Sequence, residues 1–172
     1  MANKASSNIT VNVLPDNIKT KLKGVLDYDI TAVLKSNAGD GWFYAEPTVT
    51  DSSAVLLGTT EDFMGPTTGA GNITTSDKIR WIVIKHTGTT NGTTKTNLGI
   101  VFTVNAGTAA YDLAEGIFLA PGEMVALKFA SVRTVAGLTA IACTISDGVP
   151  FADGVSGDVV KVIVTGILTN MA

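Results

Sequence analysis

Apolar residues in this chain recur at every second position, in short runs cut by turns that carry Gly, Asn and Pro. Leu26, Tyr28, Ile30, Ala32 and Leu34 alternate with Asp27, Asp29 and Thr31, and Leu98, Ile100, Phe102 and Val104 repeat the pattern. A period of two sends successive side chains to opposite faces of a strand, so each run buries one face and wets the other. Residues 78–87 are apolar on both faces, with Ile79, Trp81 and Val83 against Ile82 and Ile84, as in a strand at the centre of a sandwich or covered by a neighbour. With residues 117–119, 124–129, 138–146 and 159–168, the chain holds roughly eight to ten short strands, the spacing of a sandwich or jelly roll. The expected fold is therefore all-β, an antiparallel β-sandwich or jelly roll with an extended N-terminal arm. Residues 1–24 form the arm or a short helix, and 25–172 a single domain.

Composition agrees. Hydrophobic residues make up 45% and charged ones 16%, against a usual charged share of about 25%. The 18 glycines and paired threonines such as Thr67-Thr68, Thr89-Thr90 and Thr93-Thr94 suit strands and turns better than helices. At 172 residues the chain can bury roughly 70% of its unfolded surface, and needs neither disulfide nor metal to hold a core.

Residues 1–8 are polar and aperiodic, and read as a flexible arm. Ile9, Val11 and Val13 then alternate with Thr10 and Asn12 as a short strand with one buried face. Residues 15–23 are the one candidate helix, opened by Pro15 and stopped by Gly24. Residues 51–72 are the least regular stretch and carry Phe63 and Met64, which implies packing on the domain's own edge or contact with a neighbour. Asn91-Gly92 is the strongest hairpin signal, and Pro121-Gly122 marks a turn with positive φ at Gly122.

The inventory of reactive groups is small. A net charge of −3 without a basic cluster argues against a nucleic-acid partner. No apolar run suits a signal peptide or reaches the roughly 18 residues of a membrane helix, so the chain is expected in the cytosol with no membrane partner. Cys143 is alone, which excludes an intrachain disulfide and a cysteine zinc cluster, and its strand setting reads as a buried thiol. His86, the sole histidine, ends a strand, and no Ser-His-Asp or Cys-His spacing surrounds it. Asp147, Asp153 and Asp158 sit among glycines but match no known calcium loop, so they read as turn residues, with calcium binding left open. Asp27 and Asp29 share a strand face and read as a solvated edge. The Gly-rich residues 65–71 lack the Gly-Lys-Ser/Thr ending of a phosphate loop. Of Trp42, Phe43 and Tyr44, at most Trp42 and Tyr44 share a face for stacking on a sugar, and core packing is the stronger reading. No catalytic residue, cofactor or metal is assigned, and the chain is read as a non-enzymatic binding or structural protein.

The strand at residues 78–88, ending in Thr87-Gly88, is followed by Gly99-Ile100-Val101-Phe102-Thr103-Val104 and then by Ile117-Phe118-Leu119-Ala120-Pro121-Gly122-Glu123. This series resembles virion structural proteins of tailed bacteriophages, in particular capsid decoration (cement) proteins, over about the middle third of the chain. The resemblance implies a virion protein on the outer capsid surface, assembled in the host cytoplasm. It would bind the major capsid protein at junctions between capsomers, as a homo-oligomer, often a trimer, and stabilise the head. On this reading Ile9, Val11 and Val13 of the arm, and Phe63 and Met64 of the irregular loop, are the protein-interaction residues. The alternatives are a tail, neck or fibre-associated protein, and a carbohydrate-binding module stacking sugars on Trp42, Tyr44 or Trp81.

Overall fold

The computed structural model describes residues 4–9, 24–29, 40–52, 54–57, 63–64, 73–104, 116–129 and 134–169. The strands are β1 (Lys4–Ile9), β2 (Gly24–Asp29), β3 (Asp40–Ala45), β4 (Thr48–Thr50), β5 (Ala54–Val55), β6 (Phe63–Met64), β7 (Lys78–His86), β8 (Gly99–Thr103), β9 (Ile117–Leu119), β10 (Met124–Lys128), β11 (Thr139–Ser146), β12 (Val149–Asp153) and β13 (Val159–Thr169). A single 3-10 turn, Val135–Gly137, precedes β11, and no α-helix occurs among the described residues. The first large sheet runs β10-β7-β13-β3-β6, with β4 also on β13; the second runs β12-β11-β8-β9, with β5 on β11. All pairings between these strands are antiparallel. The protein is the all-β antiparallel sandwich that the period of two predicts.

The core lies between the sheets. Phe43, Ile82, Ile84, Val160, Val162, Val164 and Leu168 of the first sheet pack with Ile100, Phe102, Ala140 and Ala142 of the second, all fully buried. Each large apolar side chain so enclosed contributes roughly 1.5–3 kcal/mol. Val101, Ile141 and Cys143, on the other face of the second sheet, form a smaller buried cluster with Phe118.

One correction concerns β7. Strict alternation groups Ile79 with Trp81 and Val83, but Ile167 of β13 lies opposite Trp81 while Leu168 lies opposite Ile79. Arg80 is thus an extra residue, and this bulge resets the pleat. Ile79 and Ile82, three apart, both enter the core, whereas Trp81, next to Ile82, points to the opposite face and is buried there. The bulge is held by the Arg80 carbonyl, which accepts from Phe129 N at 2.9 Å, and by Arg80 Nε, which donates to Thr169 Oγ1 at 2.6 Å.

Three neighbouring strands of the first sheet, β7, β10 and β13, are entered through one kind of turn. The fourth residue returns its carboxylate to the N–H of the first: Asp77 Oδ2 to Thr74 N and Glu123 Oε2 to Ala120 N at 2.8 Å, and Asp158 Oδ2 to Val155 N at 2.9 Å. The chain bends at Gly122 (φ 87°) and Gly157 (φ 97°) in two of them, a conformation that costs a side-chain-bearing residue about 1–2 kcal/mol. The turn at Pro121-Gly122 is as expected, and it carries the chain from one sheet to the other.

A second correction concerns Asn91-Gly92. Asn91 Oδ1 accepts from Thr93 N and Thr94 N, and Thr89 bridges Lys95, so the local turn forms. The flanking β7 and β8 belong to different sheets, however, so the turn decorates a crossover and does not close a hairpin between them.

At the N-terminus, residues read as a flexible arm include Lys4–Ile9, which pair antiparallel with Gly24–Asp29 in a separate two-stranded sheet. The strand predicted at residues 9–13 overlaps this one only at Ile9. Val11, Val13 and the helix expected at 15–23 lie outside the described residues.

Candidate functional site

The two most exposed large apolar side chains of the described residues, Phe151 and Val155, stand on β12 and the turn after it. Asp147 (φ 51°) and Gly148 (φ 79°) make a two-residue turn with both φ values positive, the geometry that an Asp-Gly pair favours in a tight hairpin. β12 then pairs only with β11, and its register slips: Thr144 faces Ala152 but Ile145 faces Pro150. Phe151 is the extra residue, and a bulge at a sheet edge re-aims the side chain it carries. Phe151 is 74% exposed, Val155 66% and Val149 58%. Pro150 has no N–H to offer the free side of the strand, which is tolerated at an edge. Asp147 and Asp153 are exposed, Asp158 half-buried, and residues 146–158 contain no Lys or Arg. The result is an apolar knob in an acidic surround.

The three aspartates considered for calcium are thereby given other work. Asp147 forms the hairpin turn, Asp158 closes the turn before β13, and Asp153 ends β12 opposite Cys143. Among the described residues no three His, Cys, Asp or Glu side chains gather to hold a metal ion.

His86 ends β7, as one of the two expected settings, strand end or surface, has it, and it is fully buried there. Gly88 N donates to Nδ1 at 2.9 Å, so Nδ1 is unprotonated, and Nε2 carries the hydrogen toward the Leu98 carbonyl at 3.0 Å. The ring is a neutral clamp on the chain leaving β7. Burial lowers its pKa below the ordinary 6.5, against the opposing pull of the Leu98 carbonyl and the Glu123 charge. Below pH 6.5 the unfolded chain therefore takes up a proton that the folded chain refuses. Stability is expected to fall with falling pH from that point until the folded ring itself titrates, by at most about 1.4 kcal/mol per pH unit. Urea midpoints measured between pH 7 and pH 5 test this. His86→Asn should flatten the slope over that window, and an unchanged slope would assign it to other groups.

Cys143 is also fully buried, and burial pushes its thiol up to about 11. It is protonated at neutral pH and packs as a small hydrophobe. Of the aromatic candidates, Trp81 is 6% exposed and offers no open face for a sugar, and Phe43 is in the core. Tyr44 is exposed, but its hydroxyl donates to Glu46 Oε1 at 2.6 Å, and that bond raises its pKa above 10.0. Glu46 also lies 3.7 Å from Lys161 Nζ.

Asp27 and Asp29 lie in β2, opposite Ser6 and Lys4. Phe63 and Met64 form β6, whose backbone pairs with Phe43 and Trp42 at the edge of the first sheet. The β12 knob was missed because Val149, Phe151 and Val155 were read only for the glycines and aspartates around them. The available signal was Pro150 within a β-prone segment, which marks an edge strand. Comparison with known protein families, curated proteins and solved structures finds no match.

Proposed function

We propose that the chain is a virion structural protein of a tailed phage, a capsid decoration protein that binds the outer surface of the assembled head. Its partner is the major capsid protein, its own state a homo-oligomer, and it performs no chemistry. The single observation that carries this reading is the distribution of apolar surface. Five of the six large exposed apolar side chains of the described residues stand on sheet edges and turns, while the one described histidine and cysteine are sealed in packing roles. Surfaces of this kind are suited to docking on other proteins. The sandwich fold and the series from Lys78 to Glu123 are compatible with it.

A protein that binds only the assembled shell favours assembly by mass action, by about 2.7 kcal/mol per site at a hundredfold excess over Kd. Co-sedimentation of the purified protein with expanded heads of the phage that encodes it is expected to saturate at a fixed number of copies per capsomer. Bound heads should also withstand heating that opens undecorated ones. Heads that leave the protein in the supernatant would sink the reading. Label found on the tail or neck of imaged virions would move the protein to the alternative location.

A further inference from the structure

Five of the six large apolar side chains that stand exposed among the described residues fall on two edges of the sandwich. Val149, Phe151 and Val155 belong to the β12 edge of the second sheet. Ile117 (37% exposed) and Met124 (64%) belong to β9 and β10. β9 and β10 are consecutive in the chain, and each is the last strand of its sheet, β9 at the end of the order opposite β12. The charges on the two edges differ in sign. The β12 edge carries exposed Asp147 and Asp153 with no cation, and Asp158, whose carboxylate is turned back to Val155 N–H. The β10 edge carries exposed Lys128, and beside Met124 the exposed Lys85, which faces it in the β7–β10 register. Its acidic member among the described residues, Glu123, has its carboxylate turned back to Ala120 N–H.

We propose that the occupant of the β12 edge is the β9–β10 edge of a second copy of this chain. A two-fold contact of β12 with itself would oppose Asp147 and Asp153 of one copy to those of the other, and like charges brought together oppose association. β12 against β10 sets carboxylates toward lysines, and brings the Phe151 ring to Met124, a pairing that a thioether favours. The bulge at Phe151 and the missing donor at Pro150 protect the edge against regular strand addition, so the contact is made by side chains and not by an extended ladder. The two patches are different surfaces of one molecule, so every contact leaves one of each kind open. The association is head-to-tail, and it closes into a ring only where the rotation between copies permits. It goes beyond the reading above, which leaves the surface and symmetry of association open, and it is independent of the shell.

The experiment uses the full chain without heads. Light scattering of the wild type across a concentration series is expected to show mass growing beyond a dimer, with the growth reduced by salt. Phe151→Ser and Met124→Ser, each at an exposed position and each checked for an unchanged thermal midpoint, are expected to be monomeric alone. Mixed in equal amounts they should form a dimer and nothing larger, because each supplies the one edge that the other has lost. A wild type that stays monomeric would overturn the proposal and assign the knob to a different protein. Variants that assemble like the wild type, or a mixture that remains monomeric, would overturn it as well.

Discussion

Gly166→Ala is expected to cost about 3 kcal/mol or more, a large share of the roughly 5–15 kcal/mol by which an ordinary domain stays folded. Gly166 lies on the core side of β13, between Phe43 of β3 and Ile82 of β7. A Cβ placed there would overlap the Trp81 carbonyl oxygen and come within 2.8 Å of Ile82 Cα. Both are backbone atoms of the central pair of strands, so no side chain can rotate out of the way. The close approach lies beside the bulge at Arg80, where the pleat of β7 is reset. Gly92 is the control: it has positive φ (94°) but open space around it, so alanine there bears only a backbone cost of about 1–2 kcal/mol. Urea unfolding of the two variants, with yield of folded protein as a second readout, is expected to rank Gly166→Ala far below Gly92→Ala. Equal midpoints would mean that β7 and β13 do not approach as described.

The strands themselves were legible where apolar and polar residues alternate, and much less so where a bulge intervenes, while the partner of each strand was not legible. β8 reads directly from Ile100 and Phe102, and the Pro121-Gly122 turn from the conformational demands of its two central residues. The role of Arg80 does not read, because a bulge is defined by the partner strand and β13 lies far along the chain. Asn91-Gly92 illustrates the same limit. The dipeptide specifies a local reversal, but which sheet receives β8 is decided by burial against β9 and β11. His86 is similar: its neutral, clamped state depends on Gly88 and Leu98, and no spacing of reactive residues announces it. The β12 knob was partly legible, since Pro150 marks an edge, but the exposure of Phe151 follows from the register slip opposite Thr144 and Ile145.

Two phenylalanines separate what holds the fold from what the fold presents. Phe102 is fully buried in β8, between Ala140 of β11 and Ile117 of β9 in register. The small neighbour at Ala140 leaves room that the ring fills, and Phe102→Ala would open a cavity that residues on both sheets are too well packed to close. The expected cost is about 3–5 kcal/mol, read as a fall in the urea midpoint with the slope unchanged. Phe151→Ala removes the same ring from a position 74% exposed, and should leave stability within about 0.5 kcal/mol. The same residue type thus has opposite consequences at two places on one sheet, stability at Phe102 and association at Phe151. If Phe151→Ala were to destabilise the isolated chain as severely as Phe102→Ala, the β12 edge would be part of the domain's own core, and its acidic surround would have no partner to seek.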